Sequence, residues 1–165
     1  MRSDHSGVRE KLKGVPYEEE IARFCENVIR ALNPLTIILY GSLARGDYRR
    51  GSDVDIIVIA EDLPPRFADR VEVLLRLSAG GLIEPRGYTP EEFLEMVREA
   101  HGTALDAVKY GMVLYDRGFM ERARRAFEET VRELGLRRVA DGWKCEKILE
   151  KFKRRGHPRS GGRDH

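Results

Sequence analysis

The chain predicts an α/β (α+β) fold, a small sheet sandwiched by helices. Three observations carry the prediction. Short, β-branched apolar runs alternate with longer segments whose apolar residues recur every three or four positions. Pro, Gly and Asn punctuate the junctions between them. The 165 residues are 41% hydrophobic, enough to build a core without disulfide or metal staples.

Residues 1–13 are polar and of mixed charge, and are expected to form a flexible N-terminus. Pro16 opens a helix from Tyr17 to about Leu32, with Ile21, Phe24, Cys25, Val28, Ile29 and Leu32 on one face. Asn33-Pro34 stops it. Leu35–Tyr40 reads as a buried strand, broken by Gly41-Ser42, and Asp53–Ala60 reads as a second. A helix from Phe67 to Ser78 carries Val71, Leu74, Leu75 and Ser78 inward. Leu82–Tyr88 is a weaker strand whose Pro85 places it at a sheet edge. Thr89-Pro90-Glu91-Glu92 is a helix start with an N-cap, a first-position proline and a capping box. Its helix turns Phe93, Met96, Val97 and Ala100 inward, and His101 ends it. A short helix, Thr103–Tyr110, leads to an extended segment at Gly111–Asp116.

Beyond this, Phe119, Ala123, Phe127, Val131 and Leu134 share a helical face, and a last helix is expected from about Ala140, with Cys145, Ile148, Leu149 and Phe152 inward. Trp143 is read as packing that helix. The organisation is therefore a main domain at 14–118, a helical extension at 119–155 packed on it, and a disordered basic tail at 156–165.

Composition excludes several classes. No apolar run approaches the roughly 18 residues of a membrane span. The first residues lack the apolar centre of a signal peptide. A cytoplasmic protein without membrane contact is expected, with Cys25 and Cys145 reduced, since they fit neither a CxxC nor a metal spacing. The net charge is +2, and from Lys144 onward eight Lys/Arg face three Asp/Glu, leaving the body mildly acidic. That tail reads first as a solvated terminus and carries no recognisable nucleic-acid motif.

The chemistry concentrates between Tyr40 and Ala60. Gly41-Ser42 ends a buried strand, where glycine lets backbone approach a ligand and a hydroxyl with free amides can hold phosphate. Asp53 and Asp55 stand two apart in a strand, so both carboxylates point to one side. Two like charges in the apolar run Val54-Asp55-Ile56-Ile57-Val58-Ile59 are costly unless a cation neutralises them. Ten residues separate Ser42 from Asp53, enough for a helical turn and a loop that returns the aspartates beside the serine.

Gly41-Ser42-Leu43-Ala44-Arg45-Gly46 followed by Gly51-Ser52-Asp53-Val54-Asp55 resembles the polymerase-β-type nucleotidyltransferase superfamily, and most closely the small minimal nucleotidyltransferases of prokaryotes. The resemblance is specific over residues 35–60, fits in outline to 116, and says little about 119–165. It implies a nucleotidyltransferase fold, a small mixed sheet flanked by helices, and Mg²⁺-dependent transfer of a nucleoside monophosphate, AMP from ATP, to a hydroxyl acceptor with release of pyrophosphate.

By the same resemblance, Asp53 and Asp55 bind two Mg²⁺ ions. Gly41, Ser42, Arg45 and Ser52 bind the nucleotide, with Lys109 and Arg86 as weaker candidates. A third carboxylate on a later strand is best matched by Glu84, a departure from the commoner aspartate, with Asp106 and Asp116 as alternatives. The acceptor stays open between a protein, an RNA and a small molecule. The alternative is a nucleotide-binding antitoxin or regulatory partner of a helical toxin-like protein, with weak or no catalysis.

Overall fold

The computed structural model describes residues 6–78 and 80–147. The expected tail at 156–165, and Ile148, Leu149 and Phe152, lie outside them. Two helices lead, α1 (Ser6–Leu12) and α2 (Glu18–Leu32). Strand β1 (Thr36–Tyr40) feeds a one-turn helix, α3 (Ser42–Arg45), and β2 (Val54–Ile59) follows. Then come α4 (Phe67–Leu77), β3 (Ile83–Tyr88), α5 (Pro90–Arg98), α6 (Gly102–Tyr110), β4 (Met112–Asp116) and α7 (Phe119–Leu134). A hairpin of β5 (Leu136–Val139) and β6 (Gly142–Cys145) follows, and helical backbone begins at Glu146, just before the described chain ends at Lys147.

The main sheet has the order β3-β2-β1-β4 and is mixed. β1 is antiparallel to both β2 and β4, while β2 and β3 run parallel through the α4 crossover. The two central strands are buried on both faces, which explains their near-continuous Val/Ile/Leu content. Period-two alternation sorts their residues. Ile37, Leu39, Val54, Ile56 and Val58 join α1, α2 and Leu74 of α4 in one core, and Ile38, Tyr40, Ile57 and Ile59 join α5, α6 and α7 in the other. The molecule is thus a three-layer sandwich, one of the two layerings, two or three layers, that the alternation of elements allows.

Capping explains the boundaries. α2 begins with Glu18, Glu19 and Glu20 in its first turn, where carboxylates meet the positive end of the helix, and it ends at left-handed Asn33 before Pro34. Thr89 caps α5 by accepting the Glu92 N–H at 3.3 Å, with Pro90 in the first turn. α5 ends in a Schellman pair, the His101 N–H donating to Met96 O at 2.9 Å and the Ala100 N–H to Val97 O at 3.0 Å. His101 then serves as the N-cap residue of α6.

Three expectations are corrected. First, residues 6–12 are helical rather than flexible. Val8 and Leu12, one turn apart, are buried against the core, and Arg9 grips Glu19 at 2.8 Å and Glu26 at 2.7 Å on α2. Two apolar residues are too few to mark a helix in sequence; packing on α2 makes it.

Second, the last helix does not start at Ala140: a hairpin occupies that stretch, and helical backbone begins only at Glu146. Gly135 adopts the left-handed conformation that stops α7, and Ala140-Asp141 forms a two-residue loop before Gly142 at φ 134°. Trp143 still packs, edge-on to Phe127 at 5.8 Å, and its Nε1 donates to Asp106 at 2.8 Å. Cys145 is half-buried on β6.

Third, α4 turns only part of its apolar stripe inward. Leu74 is buried, but Val71 is 40% and Leu75 45% exposed. The buried place beside Leu74 goes to Arg70, which forks onto Glu92 at 2.6 and 2.9 Å and donates to Pro64 O at 2.6 Å. This bidentate grip on α5 rotates Val71 and Leu75 out to solvent.

Candidate active site

The site forms where β1 ends and β2 and β3 begin. Register makes it. Tyr40 lies opposite Asp55 across the antiparallel pair, and Asp55 lies beside Glu84 across the parallel pair. Asp53, two residues before Asp55, and Arg86, two after Glu84, share the face of these carboxylates. Further along that face, Ile57 and Ile59 are covered by α5, α6 and α7; at this end the cover stops and charge replaces the apolar residues.

Gly41 is shaped by Asp55. It sits at φ 77°, ψ −156°, backbone that side chains scarcely tolerate. A Cβ there would collide with the Asp55 carboxylate, whose Cγ would lie only 3.3 Å away. The glycine thus lets the β1–α3 turn close directly over the carboxylate. Ser42 opens α3, and its carbonyl accepts the Gly46 N–H at 3.0 Å while Gly41 O accepts the Arg45 N–H at 3.1 Å. Arg45 is exposed and pairs with Asp47 at 3.4 Å. Ser52 precedes Asp53 in a turn, its N–H donating to Arg49 O at 2.9 Å.

The electrostatics are crowded with negative charge. Burial holds the Asp55 carboxyl above the ordinary carboxylate range; Glu84 and Asp53 push the same way, and Arg86 and Arg45 oppose them. Burial also pushes the Tyr40 phenol up to about 12, and Asp55 adds to that shift while Arg86 opposes it. Arg86 Nη2 lies 3.5 Å from Glu84 Oε1, with both side chains about half exposed. An open cavity of about 370 Å³ wraps the β3 edge here, lined by Asp53, Glu84 and Arg86 on one side and Val71 and Leu75 on the other.

The structure therefore brings Gly41, Asp55, Glu84 and Asp53 together, with Arg86 among them. The alternative carboxylates are engaged elsewhere. Asp116 accepts from Thr36 Oγ1 at 2.6 Å and from the Met120 N–H at 3.2 Å, at the opposite end of β1. Asp106 holds Trp143 and Arg138 of the hairpin. Lys109 is exposed on the last turn of α6. Sequence reasoning missed Tyr40 as a wall of the site; its place at the end of a strand, on the parity that faces Asp55, was the available signal. It also assigned Val71 and Leu75 to the core rather than to the cavity.

Carboxylates are hard oxygen ligands, and neighbouring ones, one of them held above its ordinary range first by burial and then by the charge beside it, suit a divalent cation such as Mg²⁺. Among the described residues, no three His, Cys, Asp or Glu side chains are gathered closely enough to enclose an ion as they stand. Asp53 and Glu84 are exposed and retain the rotamer freedom to turn toward Asp55.

Comparison with known proteins gives the family. The sequence matches the model of the nucleotidyltransferase domain family over residues 20–156. A Methanocaldococcus jannaschii protein, provisionally named a protein adenylyltransferase, is 55% identical over 40 residues, which is 24% of this chain and 27% of that one. The chain thus matches about a quarter of the length of that relative. Among solved structures, a provisionally assigned nucleotidyltransferase from Sulfolobus solfataricus aligns with TM-score 0.46 at 21% identity, covering 68% of this chain and 88% of its own. A toxin–antitoxin structure with AMP-PNP aligns with TM-score 0.41 at 15% identity, covering 92% and 94%. The family match spans the Gly41-Ser42 turn, both aspartates and Glu84 together, and the chain belongs to the nucleotidyltransferase domain family.

Proposed function

We propose that this nucleotidyltransferase moves AMP from ATP to a hydroxyl acceptor and releases pyrophosphate. The observation that carries the reading is the pairing of Asp55 with Glu84 across β2 and β3, with Asp53 on the same face and the Gly41 turn closed over Asp55. Asp53, Asp55 and Glu84 would hold Mg²⁺, which when bound neutralises the triphosphate and lowers the pKa of the acceptor hydroxyl. The amides and hydroxyl of Gly41-Ser42 would hold the outer phosphates, with Arg45 and Ser52 at the rim. The acceptor oxygen forms its bond to the α-phosphorus as the bond to the β-phosphate oxygen breaks, and the acceptor proton passes to a carboxylate, for which Glu84 is the exposed candidate. A protein hydroxyl is the favoured acceptor, on the partial likeness to the relative named for protein adenylyl transfer.

A second reading, a nucleotide-binding regulatory partner with weak or no catalysis, draws on the exposed row Phe67, Val71 and Leu75 along α4. No helix among the described residues is long and apolar enough to cross a membrane.

The test is calorimetric titration of ATP, CTP, GTP and UTP with and without Mg²⁺. The expected result is Mg²⁺-dependent binding of ATP, lost in Asp53→Asn and Asp55→Asn. Absence of binding by every nucleotide would overturn the reading.

A further inference from the structure

The loop between α3 and β2 begins after Arg45 and ends at Ser52 and Asp53, so its resting place sets where these side chains lie. Glycine bends bound it, Gly46 at φ 84° and Gly51 at φ 91°, each with open space where a side chain would begin. Its backbone bonds are local: the Gly46 N–H donates to Ser42 O at 3.0 Å and the Ser52 N–H to Arg49 O at 2.9 Å. Asp47, Arg49 and Arg50 are exposed, while Tyr48 between them is half-buried. The Tyr48 ring packs on the core that α1 and α2 share, edge-on to Tyr17 with centroids 5.8 Å apart and planes at 78°. Its hydroxyl donates to the Tyr17 hydroxyl.

Tyr17 breaks a local rule to reach this place. It stands just before α2 at φ 62° and ψ 28°, left-handed backbone that a bulky residue seldom adopts, and its side chain caps nothing. Its carbonyl accepts the Ile21 N–H at 3.0 Å, so the helix fixes its backbone. A residue held in a strained setting without serving as a side-chain cap points to a contact elsewhere, and Tyr48 is that contact.

We infer that Tyr17 and Tyr48 form a latch that holds the loop between Gly46 and Gly51 against the body and thereby sets Ser52 and Asp53 at the mouth of the site. The inference rests on the proposed function and adds to it two positioning residues that act through Ser52 and Asp53. Glycines at both ends let the loop swing, and the paired rings with their shared hydrogen bond oppose the swing.

The experiment compares wild type, Tyr17→Phe, Tyr48→Phe and the double variant, all of which keep both rings. Native protein is treated briefly with trypsin, and cuts after Arg49 and Arg50 are followed by mass spectrometry. ATP is titrated into each variant in saturating Mg²⁺, and Tm is measured alongside. Cleavage of a loop that opens and closes quickly reports its open population. Each single variant should be cut at Arg49 and Arg50 about threefold to tenfold faster, the worth of one neutral hydrogen bond, and should lose ATP affinity by a similar factor while Tm moves little. The double variant should be no worse than either single one, because both remove the same bond. Unchanged cleavage in Y17F and Y48F would overturn the latch. Faster cleavage with ATP affinity unchanged would overturn the positioning role and leave the proposed function standing. A wild type that binds no nucleotide would overturn the proposed function and the positioning role with it, the cleavage rates still deciding whether the tyrosines hold the loop.

Discussion

Gly41 offers a direct test of how the turn and the carboxylate depend on each other. Its backbone, φ 77° and ψ −156°, lies in a region essentially reserved for glycine, so Gly41→Ala carries a conformational cost of about 1–3 kcal/mol. The new Cβ also meets the Asp55 carboxylate, with Cγ at 3.3 Å and Cβ at 3.5 Å. Asp55 cannot retreat with its backbone, because β2 is paired on both sides at this point, to Tyr40 and to Glu84. The relief is a forced side-chain rotation, costing about 0.5–1.5 kcal/mol and moving the carboxylate off its present aim. The total is about 2–4 kcal/mol, which for a domain of this size lowers Tm by roughly 5–15 °C. Gly46→Ala is the matched control: φ is 84°, but nothing lies within 4 Å of its Cβ, and the cost is about 1–2 kcal/mol. Thermal unfolding and Mg²⁺–ATP titration are measured on both. G41A should lose at least about tenfold in nucleotide affinity, and G46A should retain it while folded. Equal affinities in the two variants would refute the claim that Gly41 exists to seat Asp55.

Two further outcomes follow from charge. Asp55 is held above the ordinary carboxylate range in the fold, so the folded state binds its proton more readily than the unfolded chain, and stability falls as pH rises from the ordinary aspartate range through the raised value. Asp55→Asn should therefore flatten that part of the Tm–pH profile, exceed wild type in Tm at pH 7, and gain nothing from added Mg²⁺; a variant less stable than wild type at neutral pH would contradict this. Arg70→Met removes a buried guanidinium from Glu92, Pro64 O and Gly87 O. The cost in urea unfolding should be about 2–3 kcal/mol, below that of a fully buried pair because Glu92 is 36% exposed. Arg70 holds the Glu92 carboxyl below its usual range, so the pair's contribution is present above the ordinary glutamate pKa and lost as pH falls through the lowered value; the gap between R70M and wild type should narrow in acid.

The fold was legible where one segment's own pattern decides its structure. Leu35–Tyr40 and Asp53–Ala60 are too apolar and too β-branched to be anything but central strands, and Pro85 correctly assigns β3 to an edge. Thr89-Pro90-x-Glu92 marks a helix start through local hydrogen bonding alone. It failed where a distant partner decides. Nothing in Ser6–Leu12 reveals that α2 carries Glu19 and Glu26 at the reach of Arg9. Asp141-Gly142 was a usable hairpin signal, but the apolar spacing that starts at Cys145 was extended back to Ala140 and outweighed it. Val71 and Leu75 were read as core because hydrophobic spacing does not show that an arginine takes the inward place.

The candidate site stands out in the sequence for the same reason in reverse. An aspartate inside Val-Asp-Ile-Ile-Val-Ile violates the pattern of its own strand, and a residue that breaks a local rule marks function better than one that obeys it. The strand period then placed Asp53 beside Asp55 without any tertiary information. Glu84 needed one step more, the parallel register that sets it against Asp55, and no spacing in the chain encodes that register. Arg86 comes with it, because whatever register brings Glu84 to the carboxylates brings the residue two further on to the same face. The edge strand therefore delivers an acid and its counter-cation as a unit. Both side chains stay about half exposed there, which a central strand, buried on both faces, would not permit.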